Sequence, residues 1–361
     1  LKLVWGWRFV RWHPTSKQSL KVPPTAHQLL SPVMLPRMDR AILGIDLGGT
    51  FIKAAVVSPE GKLLTKCETP THAEDGPEAV FDAIGLASEE ILSSTGLANW
   101  DVAACGIGAP GPLDWRSGIV FSPANLPGWR DVPLAEILTK RLGVQCFVEN
   151  DANAACYGEF WRGAGQGADN MCLLTLGTGL GGGIVVAGRL LRGPDGTAAE
   201  VGHIIVQRDG RLCGCGARGC IETYGSVTGL VRTARYGLEA GEASVLRESC
   251  DGDWGALTGA MVSEAAEEGD SFAREVIRTT GEWLGLGIAN LINLLNPEKV
   301  VLAGGMTKAG EMLLEPIRET AARIAFDVPA ARAEIVMAGL GEDAGVIGAA
   351  GCAWERFSRG C

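Results

Sequence analysis

Long apolar runs, a P-loop and abundant charge are all missing from this 361-residue chain. No stretch approaches the roughly 18 consecutive apolar residues of a membrane-spanning helix, so no membrane span is expected. The pattern G-x-x-x-x-G-K-[ST] is absent, which argues against a P-loop nucleotide site. Charged residues make up 20% of the chain and the net charge is −10, so general binding to nucleic acid is not expected.

Cysteine is present, but not in the pattern of a secreted disulfide protein. The chain has 11 cysteines, an odd number, and several of them, such as Cys105, Cys146 and Cys172, fall in apolar segments typical of strands. Disulfide frameworks belong to small secreted domains with an even number of closely spaced cysteines. A reducing compartment, the cytoplasm, is therefore predicted.

Residues 1–37 differ in character from the rest of the chain. They combine tryptophan with basic residues and prolines, but they lack an apolar core followed by a small-residue cleavage site. Met38 comes just before the first clear strand. We interpret residues 1–37 as a disordered tail or an artefact of start-site choice, with a targeting role as the alternative.

The remaining pattern predicts an α/β protein built from two similar halves. A strand–glycine–strand hairpin occurs near residue 46 and again near residue 177, and helices alternate with strands after each. We expect two lobes, 38–155 and 156–340, with a ligand cleft between them. A helix within 341–361 is expected to pack back toward the N-terminal lobe.

Several boundaries are specific enough to be tested. Strands are predicted at 51–57, 171–176 and 299–303, and a long helix at 271–295. The whole segment Gly177–Gly183 is interpreted as a turn that precedes a strand at 184–187. A single helix is predicted over Met306–Ile324.

A group of metal-binding side chains lies in the middle of the chain. It comprises His203, Cys213, Cys215 and Cys220. A lone histidine is usually a core residue, but three closely following cysteines complete a tetrahedral zinc set. Disulfides are the poorer alternative, because Cys213 and Cys215 are too close to bridge each other easily. Such a closed site performs no hydrolysis, so its predicted role is to fix a loop together with Glu200 and Glu222 beside a polar ligand.

The first glycine turn has the composition of an anion site. Its residues are Asp46, Gly48, Gly49 and Thr50, with Lys53 nearby. Glycine allows backbone N–H groups to approach an anion closely, and Asp46 at a strand end could hold Mg²⁺ through water. A plain hairpin turn is the alternative.

Two further glycine turns occur in the second half. Their candidate nucleotide-binding residues are Gly177, Thr178, Gly179, Gly181, Gly304 and Gly305. The first contains G-x-G-x-x-G, as does Gly106–Gly111, but neither is followed by the helix that a dinucleotide fold requires. A phosphate cradle made of two hairpin turns remains. The third turn leads into a helix and could accommodate an adenine ring, or it is an ordinary strand-to-helix turn.

The segment Glu149–Asn153 places amides and carboxylates between a strand and a helix. A strand-end carboxylate in a cleft is well placed to accept a proton from a hydroxyl group, and Asp151 is the candidate general base. The alternative is a helix N-cap by Asn150 or Asp151, and the two interpretations are compatible. A wider polar set suits the hydroxyl groups of a sugar. Its members are Asn125, Asn150, Asp151, Glu200, His203 and Glu222.

Together these segments resemble the ROK family of sugar kinases and sugar-responsive repressors, within the actin–hexokinase superfamily. The resemblance covers about residues 41–353. It is carried by Asp46–Thr50, Gly108–Pro112, Asn125–Trp129, Glu149–Asn153, Leu176–Gly183, Glu200–His203, Cys213–Glu222 and Ala303–Met306. It implies the two-lobed, ribonuclease-H-like ATPase fold with a central cleft and a structural zinc loop.

The resemblance also implies an activity, namely transfer of a phosphoryl group from ATP, with Mg²⁺, to a hexose. Glucose is favoured, giving glucose 6-phosphate and ADP. Asp151 is then the general base, and the turns at 46–50 and 177–183 bind phosphate. The remaining polar residues become sugar ligands: Asn125, Asn150, Glu200, His203 and Glu222. The family implies a homodimer. One departure is Ala199, where the family usually has glycine.

Two alternatives remain open at this point. N-acetylmannosamine, N-acetylglucosamine, fructose and allose are rival substrates, because one sequence does not show the size of the pocket. A non-catalytic, sugar-sensing transcriptional regulator is the other. Such regulators carry a winged helix-turn-helix ahead of the kinase-like body, whereas the first 40 or so residues here contain five prolines and no paired helices. A kinase is therefore preferred.

Overall fold

The computed structural model describes residues 41–98 and 101–360. The predictions for residues 1–37 and Met38 lie outside these ranges. The first part of the fold contains, in chain order, β1 (Ala41–Leu47), β2 (Phe51–Val57), β3 (Leu63–Pro70), α1 (Pro77–Thr95), β4 (Val102–Ala109), β5 (Leu113–Asp114), β6 (Ile119–Val120), α2 (Leu134–Leu142) and β7 (Cys146–Asn150). One sheet has the order β3-β2-β1-β4-β7, in which β1 runs antiparallel to β2 and parallel to β4.

The second part repeats this plan. Its elements are α3 (Asp151–Arg162), β8 (Met171–Leu176), β9 (Leu180–Val186), β10 (Arg189–Leu190), α4 (Glu222–Gly225), α5 (Val227–Ala240), α6 (Leu246–Ser249), α7 (Gly259–Glu267), α8 (Ser271–Leu295), β11 (Lys299–Ala303), α9 (Glu311–Ile324), α10 (Asp327–Ala330), β12 (Glu334–Met337) and α11 (Ala344–Ser358). The sheet order β10-β9-β8-β11-β12 matches the first sheet strand for strand. The predicted pair of α/β halves is confirmed.

Each half has its own hydrophobic core. In the first, α1 buries Val80 and Ile84 against the sheet, and in the second α8 buries Val276 and Ile288. Helix α1 starts with proline at its first turn and ends at Gly96, whose φ of 69° suits a glycine cap. The apolar spacing that predicted both helices is the face that they bury.

Helices α3 and α11 pack closely against each other. A Cβ at Gly348 of α11 would lie 1.6 Å from the carbonyl oxygen of Ala154 in α3, so only glycine allows this approach. Helix α11 also lies on the first sheet, where a Cβ at Gly106 would lie 1.8 Å from the carbonyl oxygen of Ala349. The last helix of the chain therefore contacts both the first sheet and the helix that carries Asp151 at its start.

Two predicted boundaries were wrong. Strand β9 begins at Leu180, so Gly181–Gly183 lie in a strand and not in a turn. Glycine is needed there because a Cβ at Gly183 would lie 2.4 Å from that of Cys156 in α3. The single helix predicted over Met306–Ile324 is a 3₁₀ turn followed by α9, interrupted at Gly310 with φ 59°.

None of the helices within the described ranges is both long and apolar enough to cross a membrane.

Candidate active site

Parallel strands bring the polar residues of the first half to one edge of its sheet. Asp46 in β1 is level with Gly108 in β4, and Gly108 is level with Glu149 in β7. The carboxyl ends of these strands share one edge, and Asn150 and Asp151 follow directly. This edge is where open α/β sheets usually bind ligands.

Asn150 and Asp151 have different roles at the start of α3. Asn150 Oδ1 accepts hydrogen bonds from the backbone N–H groups of Ala152 and Asn153, each at 3.1 Å, so Asn150 is the helix cap. Asp151 Oδ1 accepts from Ala152 N at 2.8 Å and from Asn150 Nδ2 at 2.9 Å. Surrounding protein desolvates the Asp151 carboxyl and raises its pKa, although these hydrogen bonds oppose the rise. A raised pKa makes a carboxylate a better base near neutral pH.

Asp46 lies within electrostatic reach of Asp151. The pKa of Asp46 is raised to about 6, first by burial and second by the charge of Asp151, while the charge of Lys53 opposes the rise. Lys53 is the cross-strand neighbour of Asp46, and its Nζ is 3.3 Å from an oxygen of Glu342 and 4.0 Å from one of Glu68. Lys53 is therefore paired with carboxylates in this structure.

The first glycine turn lies against Asn125. Gly48 N donates to Phe51 O at 3.0 Å, which closes the turn. A Cβ at Gly49 would lie 3.0 Å from the carbonyl oxygen of Asn125, so the two segments touch. The backbone of Thr50 accepts a hydrogen bond from Thr71 N at 2.9 Å, which ties the turn to the end of β3.

The second glycine turn is shorter than predicted. Gly177 N donates to Gly179 O at 3.1 Å, and Thr228 Oγ1 donates to Thr178 O at 2.7 Å at the start of α5. Gly181 lies beyond the turn, in β9 opposite Thr175. A pocket of about 310 Å³ opens here, lined by Thr178, Gly179, Leu212, Gly214, Glu222, Thr223, Ser226, Thr228, Gly229 and Arg232.

The third glycine turn adjoins the second. Gly304 has φ 98°, and a Cβ there would lie 2.5 Å from the carbonyl oxygen of Leu176, immediately before Gly177. Gly305 has open space where its side chain would be. Backbone of two turns therefore meets at one end of the second sheet, with little side chain to obstruct a ligand.

The four predicted metal ligands come together. Their ligand atoms all lie within 4.8 Å of one another, with 3.7 Å between His203 Nδ1 and Cys213 Sγ and 3.7 Å between Cys215 Sγ and Cys220 Sγ. A tetrahedral ion with Zn–S bonds of about 2.3 Å places its ligand atoms about 3.8 Å apart. The cysteines are free thiols. The donor set and its spacing therefore fit Zn²⁺.

Both glutamates adjoin this cluster. Glu222 Oε2 accepts from Leu180 N at 3.0 Å, and its Oε1 lies 3.5 Å from Cys213 Sγ, so Glu222 links the cluster to β9. Glu200 Oε2 is 4.0 Å from His203 Nε2, the ring nitrogen other than the one that faces Cys213. The cluster thus holds His203 beside Glu200.

The backbone around Glu200 is unusual. Ala199 has φ 66°, in the left-handed region, and Glu200 has φ −69° and ψ 59°. Val201 N donates to Ala199 O at 2.7 Å, which makes Glu200 the central residue of an inverse γ-turn. This turn sets the direction in which Glu200 leaves the chain.

Some residues of this region were not singled out from the sequence. Arg192 is one, with its Nε 2.6 Å from Glu149 Oε2, and Thr228 at the start of α5 is another. Ser226 caps α5 by accepting from Gly229 N, and a serine before an apolar periodic segment is a signal that could have revealed this helix. Nothing local in the sequence pairs Arg192 with Glu149.

Comparison with known proteins agrees with this architecture. The model of the ROK family matches residues 42–356. The glucokinase of Halalkalibacterium halodurans is 43% identical over 311 residues, which cover 86% of this chain and 94% of that protein. The glucokinase of Thermotoga maritima is 40% identical over 317 residues, covering 88% and 98%.

A solved structure gives the same result. The ROK family glucokinase from Streptomyces griseus, in complex with glucose and AMPPNP, superposes with a TM-score of 0.72 at 41% sequence identity. The match covers 87% of this chain and 99% of that one. The chain belongs to the ROK family.

Proposed function

We propose that this protein is an ATP-dependent glucokinase, a phosphotransferase that converts glucose and ATP to glucose 6-phosphate and ADP. The observation that carries the proposal is the Asp151 carboxylate at the start of α3, which is held by Asn150 Nδ2 and lies within electrostatic reach of Asp46 at the edge of the first sheet. The 40% and 43% identity to two glucokinases over most of the chain supports the choice of glucose.

Asp151 acts as the general base in this proposal. Its carboxylate accepts the proton of the 6-hydroxyl group as that oxygen attacks the γ-phosphorus of ATP. Phosphoryl transfer passes through a loose transition state, so orientation of the hydroxyl group contributes more than its full deprotonation. Asn150 contributes by donating to Asp151 Oδ1 at 2.9 Å, which orients the carboxyl group.

The sugar is assigned to the polar residues on three segments. These are Asn125 beside the first glycine turn, Asn150 and Asp151 at the start of α3, and Glu200 with His203 beside the cysteine cluster. Carboxylate and amide groups match the many donors and acceptors of a hexose. Glu222 completes the proposed set, although one of its oxygens already accepts from Leu180 N.

The nucleotide is assigned to the glycine turns. The N–H groups of Gly48 and Gly177 close their own turns, so those of Gly49, Thr50, Thr178 and Gly179 would hold phosphate. The flat surface at Gly304 and Gly305 would take the adenine ring. Mg²⁺, when bound, neutralises charge on the transferred phosphoryl group. Asp46 would hold that ion through water, as expected for a carboxylate at a strand end.

Zinc is assigned a structural role. The ligands would be His203 through Nδ1 together with Cys213, Cys215 and Cys220. Four protein ligands close the site, so no position remains for water activation. The ion would fix the loop that presents His203 Nε2 and Glu200.

A coupled assay of ADP formation tests the function. Purified protein is given ATP and Mg²⁺ with glucose, mannose, fructose, allose, N-acetylglucosamine or N-acetylmannosamine. We expect the highest kcat/KM with glucose and formation of glucose 6-phosphate. If ADP forms only with an amino sugar, the assignment of glucose as the substrate is wrong. If no ADP forms with any hexose, the protein is not a kinase for these sugars.

Three further features are also proposed, the first from the family resemblance and the other two from the sequence pattern. These are a homodimer, a cytoplasmic location and the lobe boundaries near residues 155 and 340. Sedimentation velocity at micromolar concentration tests the dimer, for which a species of twice the 37.8 kDa chain mass is expected. A monomer at all concentrations would contradict it.

A further inference from the structure

Arg192 is a buried cation between the two parts of the fold. It follows β10 and precedes Glu200 by eight residues in the second part. Its side chain is 11% exposed, and its Nε lies 2.6 Å from Glu149 Oε2. Glu149 belongs to β7 in the first part, is 4% exposed, and stands two residues before Asp151. A buried carboxylate of this kind requires a partner.

Glu149 in turn holds the segment around Asp151. Its Oε1 accepts from Asn153 Nδ2 and from Asn150 N, each at 3.1 Å. These two residues flank Asp151, and Asn150 is the helix cap that donates to the Asp151 carboxylate. Glu149 therefore holds the residues on both sides of Asp151, and Arg192 is the partner of Glu149 in an ion pair.

The guanidinium of Arg192 also lies on Trp115. The Cζ atom is 4.8 Å from the centroid of the Trp115 ring, a distance typical of a cation–π contact. Trp115 lies in the hairpin of β5 and β6, whose chain continues to Asn125. The chain after Arg192 also packs against the Trp115 ring, where a Cβ at Gly196 would lie only 2.9 Å from Trp115 Cδ1.

A third contact reaches the last helix. Arg192 Nη2 is 3.9 Å from Glu355 Oε2 in α11, and Glu355 is itself 2.9 Å from Arg359 Nη2. The side chain of Glu355 is 9% exposed. One planar guanidinium thus faces two buried carboxylates and an aromatic ring, a combination that a lysine ammonium does not reproduce.

We propose that Arg192 is a positioning residue for the sugar site. It connects three segments that carry the proposed sugar contacts: through Trp115 the chain leading to Asn125, through Glu149 the residues around Asp151, and through its own segment Glu200. The inference rests on the proposed function and extends it to a residue that is assigned no contact with the sugar. Loss of the guanidinium leaves Glu149 without this counter-charge. It also removes the side-chain contacts that join the segment of Arg192 to Glu149 and Trp115, whose segments remain linked to each other through Arg356.

This role differs from general stabilisation in what it affects. The proposed nucleotide contacts lie on Gly48–Thr50, Gly177–Gly179 and Gly304–Gly305, whereas the side chain of Arg192 contacts Glu149, Glu355 and Trp115. A positioning residue for the sugar changes the KM for sugar more than the KM for ATP. A purely structural residue lowers the melting temperature while both KM values of the folded fraction stay unchanged.

The test is Arg192→Lys in the full chain, which keeps the positive charge. We expect kcat/KM for glucose to fall by about tenfold to a hundredfold, the effect of a misplacement of about 1 Å, with little change in the KM for ATP. Calorimetric titration with glucose alone should show weaker binding than in the wild type. Arg318→Lys is the matched control, since Arg318 bonds the carbonyl oxygen of Ile335 away from these segments, and it should leave both values unchanged.

A second variant covers the case in which Arg192→Lys does not fold. Trp115→Phe keeps the ion pair and a smaller ring, and should raise the KM for glucose by a smaller factor than the lysine variant. A folded Arg192→Lys enzyme with wild-type kcat/KM for glucose overturns the inference, and so does a parallel rise in both KM values. Wild-type protein that binds glucose without forming ADP contradicts the proposed kinase only, and calorimetry of the variants then still decides the role of Arg192.

Discussion

Asp46 and Asp151 place two carboxyl groups within electrostatic reach of each other at the same edge of the first sheet. Burial is the first cause that raises the pKa of Asp46 to about 6, and the charge of Asp151 is the second. The pKa of Asp151 is also raised, mainly by burial. The free protein therefore holds two carboxyl groups of raised pKa where a cation and a phosphoryl group are proposed to bind, and ligand binding would relieve the repulsion between them.

Asp46→Asn should stabilise the protein in the absence of Mg²⁺. The pKa of Asp46 in the folded state, about 6, exceeds its ordinary value of 3.8, so ionisation is harder in the folded than in the unfolded chain. The resulting destabilisation is absent below pH 4, grows between pH 4 and 6, and is complete above pH 6. We expect the variant to gain at most about 3 kcal/mol in free energy of unfolding at pH 8, and almost nothing at pH 4.

Urea unfolding at several pH values measures this gain. Asp169→Asn, at an exposed position, is the matched control for the loss of one carboxylate. A gain for Asp46→Asn that is constant with pH, or that is larger at pH 4, would show that the carboxyl group is not destabilised in the folded state. The same variant should lose kinase activity if Asp46 holds the metal.

Asp151→Ala should lower kcat by about 10² to 10⁴ fold, the usual contribution of a general base, with little effect on folding. The fold survives because Asn150 Oδ1 accepts from both Ala152 N and Asn153 N, so Ala152 N keeps a partner when the Asp151 carboxylate is removed. Asn150→Ala provides the contrast, since loss of the cap should cost about 1 kcal/mol of stability. Steady-state kinetics and urea unfolding on both variants make the comparison. Turnover near the wild-type value in Asp151→Ala would refute the base assignment.

Much of the fold could be predicted because the local sequence pattern indicates where these strands and helices begin and end. Strands β2, β8 and β11 and helix α8 have the boundaries expected from the sequence, since each is an apolar or periodic run that ends at a glycine, at an asparagine or, for β2, at the turn Ser58-Pro59. The cysteine cluster was equally visible, because three cysteines and a histidine within 18 residues leave few other arrangements.

Features that depend on distant contacts could not be predicted. Gly183 pairs with Leu173 in the second sheet, and the position requires glycine because α3 passes too close for a side chain. The sequence around Gly183 does not indicate this approach. The partner of Glu149 lies 43 residues away at Arg192. Ala199 was seen as a departure from the family, but its left-handed φ of 66° appears only in the structure.

Cys213→Ser should remove bound zinc and destabilise the loop that carries His203. Serine is a poor zinc ligand, and three remaining ligands do not close a tetrahedral site. We expect elemental analysis to find about one zinc per wild-type chain and much less in the variant, with a lower melting temperature. Cys67→Ser, at a half-buried position in β3, is the control and should keep its zinc. Equal zinc content in Cys213→Ser and Cys67→Ser would show that Cys213 is not a zinc ligand.

Ala199→Gly should stabilise the protein, against the usual effect of glycine. An L-residue in the left-handed region costs about 1–2 kcal/mol, and relief of this strain exceeds the roughly 0.5–1 kcal/mol that glycine adds to the entropy of the unfolded chain. The φ of Ala199 is 66°, whereas that of neighbouring Ala198 is not positive. We therefore expect a gain of about 0.5–1 kcal/mol for Ala199→Gly and a loss of similar size for Ala198→Gly, both measured by urea unfolding. If both variants have a lower free energy of unfolding than the wild type, the backbone at Ala199 is not strained. Contacts of the Ala199 methyl group would then outweigh the backbone preference for glycine.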